Sequence, residues 1–494
     1  MKSKPNIVIL VIDCFRACEL YHNKGRKLNV PFLNKLSKVS YTYRRAIAPS
    51  TWTLPSCASI LSGLLPTEHN LNFANSRLKT GIHTLPELLN KLGYRTACFT
   101  ANPLFTYQNG LARGFDEIYN IYEQPVENSL PFKENVINLQ EIELPKNFGE
   151  YIHVLRKFSR QGNFIKNIIN AIIYFNKSSL GLFKKDKGAQ KIKSKISEWL
   201  ELRQLSINDP FFLYIHFMEL HEWYYPLISY NLCYSLLNIH KMVKYIKEVR
   251  KVHFTSRNLL ENYQYSEKSI EYLRELYRRE LEYLDKVVCE LYKEINSYGE
   301  NVFVVTADHG QQLYEHNILG HSMKFYNVNL HVPLIIKTVE EHQRFIDRFV
   351  SLKDLPKTLL DYLRLDMNFP GYSFLPEKIH NYPSCVFSET IADPILDLRI
   401  RNPKQYELRG YSLKSILESM FGGLSVYYKN YHYIFLTNGK VEIYDFEKDY
   451  FEKENLYGNI KIPNELLNNI KTKYLKIKTA NAVRKKIIGM RDKI

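Results

Sequence analysis

Residues 6–13 read NIVILVID. Six apolar residues run without a break from Ile7 to Ile12 and end on an acid. A strand with one wet face would alternate; an unbroken run of this length fits a strand covered on both faces. The run starts behind a basic "MKSK" but meets Asp13 with no small-residue cleavage site, so it reads as a first strand rather than a signal peptide. Two further runs have the same character, DPFFLYIHFM (209–218) and NVFVVTADHG (301–310). VPFLNKLSKV (30–39) has helical spacing, and TLPELLNKLGYRTACFTANP (84–103) reads as a helix over 85–92, Gly93 at its end, then a strand over 95–100. Strands alternating with helices predict an α/β fold with a mainly parallel, mixed sheet between helical layers.

In such a fold ligands meet the C-terminal ends of the strands. Asp13 ends the first run, Glu219 and His221 follow the second, and Asp308 and His309 follow the third. Thr53 lies in APSTWTLPSCASILSG (48–63), a loop opening into a helix. Thr53 there is either an ordinary helix cap or a chemical group. Each polar strand end alone reads as a cap or turn residue, but strand ends in one sheet converge, and a site needs that convergence.

The rest of the chain bounds the answer. With 494 residues, 45% apolar and 24% charged, it can bury a large core. We expect a catalytic α/β domain over 1–345, with helical insertions at about 121–208 and 226–290. The helix expected at 265–295 should pack on the sheet and carry nothing catalytic. Over 346–494 we expect a small α+β subdomain: SVYYKNYHYIF, LTNGK and VEIYDF read as antiparallel strands around an Asn-Gly turn, followed by a basic terminal helix. No apolar stretch reaches membrane-spanning length. The seven cysteines are scattered, odd in number and without a CxxC pair, which fits a reducing, cytoplasmic setting.

The formal net charge is +17. It concentrates in residues 151–210, with twelve Lys/Arg against four Asp/Glu, and in the tail from Lys471, with nine against one. No nucleic-acid motif accompanies this charge. The basic segments suit an anionic substrate or a peripheral contact with an anionic membrane, or are simply solvated faces. The oligomeric state is left open.

Asp13, Asp308 and His309, with the Thr53 hydroxyl, make a ligand set for one divalent cation. Two carboxylates and one imidazole favour Mn²⁺ or Zn²⁺ and admit Mg²⁺ or Ca²⁺. A hydroxyl held by such a cation loses its proton more easily, which would make Thr53 a nucleophile.

Several segments then carry a resemblance: PNIVILVIDCFRA, APSTWTLPSCASILSGLLPTEH, FLYIHFMELHEWYYP and VVTADHGQQLYEHNILGHSMKFYNVNLHVPLII, with SLKDLPKTLLDYLRL and YSLKSILESM, YYKNYHYIF and VEIYDFEKDYFEKENL further on. In that order they resemble the sulfatase-like branch of the alkaline phosphatase superfamily. The resemblance implies metal ligands at Asp13, Asp308 and His309 and a nucleophile at Thr53. It implies that His221 meets the ester and leaving group, and that His321 stands near the transferred group. Lys324, Asn102 and His316 fall at frequently polar, substrate-side positions.

The departures shape the chemistry. Sulfatases carry C/S-x-P-x-R, whose first residue becomes formylglycine; here the five positions read Thr53, Leu54, Pro55, Ser56 and Cys57. Threonine cannot become that aldehyde, and a threonine ester has no second hydroxyl to expel sulfate. Water must attack directly, which favours phosphate or phosphonate esters over sulfate esters. Cys14 stands where classical sulfatases have a second Asp, which argues for one cation rather than two. The expected function is a metal-dependent hydrolase of phosphate, phosphonate or sulfate esters. The alternatives are a sulfuric ester hydrolase, a transferase passing the group from Thr53 to an acceptor, and a binding homologue without turnover.

Overall fold

The computed structural model describes residues 4–22, 28–72, 76–121, 186–202, 210–222, 224, 265–321, 324–365, 367–391 and 422–491. Its largest sheet has nine strands: β1 (Asn6–Ile12), β2 (Tyr41–Ile47), β3 (Arg95–Thr100), β4 (Glu117–Asn120), β5 (Phe211–Phe217), β6 (Asn301–Thr306), β9 (His331–Lys337), β10 (Arg344–Ile346) and β11 (Val350–Ser351). A two-stranded ribbon, β7 (Gln312–Leu313) and β8 (Leu319–Gly320), projects between β6 and β9. The order is β10-β2-β9-β6-β1-β5-β3-β4, with β11 also on β2. Only β9 runs antiparallel to its neighbours, β2 and β6; the other pairings are parallel. The expected mixed, mainly parallel sheet is therefore present.

Every residue of β1, β5 and β6 is buried, as unbroken apolar runs require when helices cover both faces. Those helices include α1 (Pro31–Ser37), α2 (Thr53–Ser62), α3 (Leu85–Lys91), α4 (Ala189–Leu202), α5 (Glu267–Asn296) and α6 (Leu355–Tyr362). α5 buries one stripe, from Tyr272 through Leu276, Leu284 and Leu291 to Ile295, against the sheet, α1 and α4. Most of the insertion expected at 121–208, and residues 226–264 of the second, lie outside the described residues; α4 and α5 are the parts seen.

The small sheet is antiparallel, β12 (Cys385–Thr390), β13 (Gly423–Tyr428), β14 (Tyr431–Leu436) and β15 (Val441–Asp445), in that order. The expected Asn-Gly turn joins β14 to β15, with Gly439 at φ 93° and its N–H on Leu436 O. The basic terminal helix is α7 (Asn464–Arg491). Its Leu466, Ile470 and Ile477 pack on this sheet. The stretch YSLKSILESM lies outside the described residues. The large sheet takes in β10 and β11, so a division after residue 345 falls inside strand Arg344–Ile346.

Register sets the level of the site. Val11 pairs with Thr306 and Ile12 with Phe217, so three strands end side by side. The small sheet brackets the entry to α2: Ser50 Oγ donates to Glu389 O at 2.7 Å, and the Thr51 and Thr390 hydroxyls lie 2.8 Å apart.

Candidate active site

Thr53 is the first residue of α2, not its cap. The capping position is Trp52, which makes no side-chain cap bond. The Thr53 hydroxyl turns instead toward the strand ends. Its Oγ1 lies 3.1 Å from His309 Nε2 and donates to Asp13 Oδ2 at 3.3 Å. The cap reading of Thr53 is thus replaced by a contact with two of the expected ligands. Behind α2, Gly63 ends the helix at φ 77°, where a Cβ would stand 2.5 Å from Pro370 O.

Asp13, Asp308 and His309 are all fully buried and close together. His309 Nε2 is 3.6 Å from Asp13 Oδ1 and 3.4 Å from Asp308 Oδ2. His309 Nδ1 lies 2.8 Å from Gly310 O, so that nitrogen carries a proton, and Nε2 faces Thr53 and the carboxylates. Gly310 is needed because a Cβ there would meet Val328 O at 2.2 Å. Ser56 Oγ, one turn into α2, donates to Asp308 O at 2.5 Å and ties the helix to the strand end.

Burial and charge act in opposite directions here. Burial opposes the Asp13 charge, yet the nearby imidazoles of His216, His221 and His309 hold its carboxyl well below the usual range. Burial and the Asp13 charge push Asp308 up. Burial alone would lower His309, but the Asp308 and Asp13 carboxylates raise it. Two carboxylates so close are stable together only beside positive charge.

His216 is a member of this group that the sequence reading missed. It sits inside β5, fully buried, with Nε2 3.3 Å from Asp13 Oδ2 and 4.0 Å from Asp308 Oδ2. A single histidine inside the apolar run FFLYIHF was the available signal. Both its ring nitrogens and Asp308 Oδ2 lack a hydrogen-bond partner among the described residues. Orphaned donors of this chemistry, clustered as Asp13, His216 and Asp308 and as Asp13, Cys14 and His309, fit a divalent cation.

The remaining expected residues spread around this centre. Asn102 is buried and donates from Nδ2 to Asp13 Oδ2 at 3.2 Å, so it positions the carboxylate. The His221 and His321 rings meet edge-on at 4.9 Å, and His321 lies 4.5 Å from the His309 ring. His221 Nδ1 lies 2.7 Å from Glu222 O. His321 Nδ1 is 2.9 Å from Gln311 Oε1 and 3.4 Å from Glu222 Oε2. Burial pushes His321 down to about 4, so it is neutral at neutral pH. Lys324 is held through its carbonyl, which accepts from Asn329 Nδ2 at 2.8 Å. His316 stacks on Tyr326 at 3.7 Å and borders a different cavity.

Glu222 and Gln311 are further groups the sequence did not single out, and Gln311 Nε2 donates to Glu222 Oε2 at 2.5 Å. Cys14, known from the sequence only as a departure, points its Sγ at Asp13 Oδ1 (3.0 Å) and lies 3.8 Å from His321 Nδ1. Its backbone turns at φ 64°. Tyr277 of α5 holds that turn: its hydroxyl donates to Cys14 O at 2.8 Å and accepts from Arg16 N at 3.1 Å. The helix expected to carry nothing catalytic thus braces the loop that carries Asp13. Cys57 is buried in the core, where it accepts from the Tyr214 hydroxyl at 3.4 Å.

The sulfatase family model matches residues 5–365. The chain belongs to the sulfatase family. Among curated relatives, human arylsulfatase K is 22% identical over 395 residues, covering 75% of the chain. The chain spans 66% of that relative's length, just under two thirds. The multifunctional alkaline phosphatase superfamily protein PehA of Trinickia caryophylli is 21% identical, over 77% of the chain and 78% of PehA. The phosphonate monoester hydrolase of Agrobacterium radiobacter shares the fold, with a TM-score of 0.62 at 16% identity over 99% of this chain and 96% of that one. BT4656, solved with D-glucosamine-2-N,6-O-disulfate, gives 0.60 at 14% identity over 97% of each chain. The sulfatase fold is thus common to hydrolases of phosphonate and of sulfate esters.

Proposed function

We propose that this sulfatase-family protein is a metal-dependent hydrolase of anionic esters that works through Thr53, with phosphate or phosphonate esters its substrates. The observation that carries the reading is the Thr53 hydroxyl, 3.1 Å from His309 Nε2 and 3.3 Å from Asp13 Oδ2, at the N-terminus of a ten-residue helix. That end offers backbone N–H groups to an incoming oxyanion. Asp13, Asp308, His309 and His216, with Thr53, would hold one divalent cation, which supplies positive charge that lowers the hydroxyl pKa and offsets the developing charge.

In the first step Thr53 Oγ1 bonds to phosphorus as the bond to the leaving oxygen breaks. Thr53 gives up its proton to bulk water, and His221 delivers one to the leaving alcohol. His221 suits this role: its Nδ1–H donates to Glu222 O, which fixes the ring and leaves Nε2 as the nitrogen that exchanges the proton. In the second step water attacks phosphorus and the bond to Oγ1 breaks. His221 takes the water's proton, and the departing Thr53 oxygen recovers a proton from bulk water. Threonine's single hydroxyl supports a phosphorus centre over sulfur, since release depends on this attack by water. Lys324 would meet the ester's free oxygens. The same reading takes the free thiols as those of a protein in a reducing cytoplasm.

The test is a panel of p-nitrophenyl phosphate, a phosphodiester, a phenylphosphonate ester and p-nitrophenyl sulfate, each with Mn²⁺ or Zn²⁺. A phosphorus ester should be turned over fastest. Faster turnover of the sulfate ester would overturn the substrate class, and none of the four turned over would overturn the hydrolase reading.

A further inference from the structure

Arg16, two residues beyond Cys14, is only 3% exposed. Its Nη2 bonds Glu315 Oε1 at 2.9 Å, and Nε lies 3.6 Å from Glu19 Oε1. Its Nη1 is buried with no hydrogen-bond partner among the described residues. A buried charged donor without an acceptor is costly, so a guanidinium of this kind favours a site where an acceptor can bind.

That guanidinium borders a cavity of about 600 Å³ outside the Thr53 cluster. Arg274 and Arg278 of α5 and Lys453 beyond β15 line it as well, against the two carboxylates Glu19 and Glu315. Glu315 is already engaged: it takes Arg16 on Oε1, lies 3.6 Å from Arg274, and accepts from Leu313 N on Oε2 at 2.6 Å. Among the described residues, four cationic side chains and two carboxylates line the cavity. The backbone turn at Cys14 separates the two places. Cys14 Sγ faces His309 and His321, while the Arg16 guanidinium lies 5.9 Å from the Tyr277 ring and beside Glu315.

We propose that this cavity is a second anion site, distinct from the catalytic one, which binds a phosphate or sulfate group on Arg16, Arg274, Arg278 and Lys453. Planar guanidinium forks match the tetrahedral oxyanion, and Arg16 Nη1 gains the acceptor it lacks. His316, expected at a substrate-side position, lines this cavity. The anion has two sources, a second anionic group on the substrate or a free phosphate or sulfate ion. The proposal goes beyond the hydrolase reading and stands without turnover, because it is a statement about binding.

The experiment is calorimetric titration of the metal-loaded protein with inorganic phosphate and with sulfate. It uses wild type, Thr53→Ala, which isolates the second site from covalent chemistry, and Arg278→Ala/Lys453→Ala. Two anions should bind per wild-type chain, and the double variant should weaken one of them at least about tenfold, as the loss of charge-assisted hydrogen bonds implies. An unchanged melting temperature confirms that the double variant folds. A single anion per chain, or two that the double variant leaves untouched, overturns the site. Rates then separate the sources. With a substrate's own second group, the double variant raises KM for an ester bearing two anionic groups and leaves a singly charged ester alone. With a free ion, added phosphate changes the wild-type rate on the singly charged ester at saturating substrate, and this effect disappears in the double variant.

Discussion

Thr53 combines two properties that separate variants will resolve. Its hydroxyl meets Asp13 and His309, and its backbone opens α2. Thr53→Ala should reduce turnover by a thousandfold or more, on the order of losing a nucleophile. The melting temperature should stay within a few degrees, since the residue does not cap the helix. Thr53→Ser should keep measurable activity, because the hydroxyl remains with fewer constraints on χ1. Near wild-type rates from Thr53→Ala would place the chemistry elsewhere. Asp308→Asn keeps size and removes a charged ligand. Even groups that only orient a ligand are worth about 10–100-fold in metal affinity, so this variant should lose at least that much. Elemental analysis after reconstitution should find one cation per wild-type chain and far less in Asp308→Asn. Two equally tight cations, drawing on the Cys14, His221, Glu222 and His321 group, would contradict the expected count.

Among the elements, α2 matters most, because it carries Thr53 and is pinned from below by a histidine. His69 accepts from Leu71 N at Nδ1 (3.0 Å) and lies 3.2 Å from Pro55 O and 3.0 Å from Ser59 Oγ at Nε2. This pattern requires a neutral ring, and burial lowers its pKa from 6.5 to about 3. As pH falls below 6.5 the unfolded chain takes up a proton that the folded one refuses. The stability that His69 contributes is therefore lost between pH 6.5 and about 3. The loss is about 1.4 kcal/mol per pH unit in that window. His69→Gln cannot titrate, so the stability gap between wild type and variant should narrow by about that slope as pH falls from 6.5 to 4.5. Denaturant melts at several pH values check it, and a gap independent of pH would show that His69 is not held neutral.

Taken whole, the molecule joins its two sheets at the loop leading into the site, and the terminal helix belongs to that junction. α7 buries Ile477 against the small sheet, and its Lys473 lies 3.8 Å from Glu389 of β12. Glu389 in turn takes the Thr67 N–H and hydroxyl near the end of α2. Cutting the chain at Lys471 would therefore damage packing as well as charge. A cleaner probe of the basic tail is Lys471→Glu/Lys476→Glu/Lys478→Glu, three exposed positions. If the tail meets an anionic surface, this variant should lose binding to phosphatidylserine vesicles at low salt, and wild-type binding should fall steeply as salt rises. Equal binding by both proteins would leave the helix a solvated face. No helix among the described residues is long and apolar enough to cross a membrane.

Local pattern was enough for much of this. Unbroken apolar runs announce strands covered on both sides, and β1, β5 and β6 are such strands. Helical spacing and an end glycine located α3, and an Asn-Gly pair located the turn between β14 and β15. Asp13, Asp308, His309 and Thr53 were legible because each follows or opens an element whose end the sequence marks. Tertiary structure alone decided the rest. The antiparallel strand β9 and the edge strands β10 and β11 depend on long-range pairing, which no local period reports. His216 looks like one polar residue in an apolar run until β1 and β6 bring two carboxylates to it. Tyr277 and Arg16 reach their roles across 261 positions of chain, at a turn that only the packing of α5 holds in place. A sequence shows which groups stand at the ends of its elements. Which of them meet depends on strand order and helix packing, because the energies that fix both come from surfaces distant in the chain.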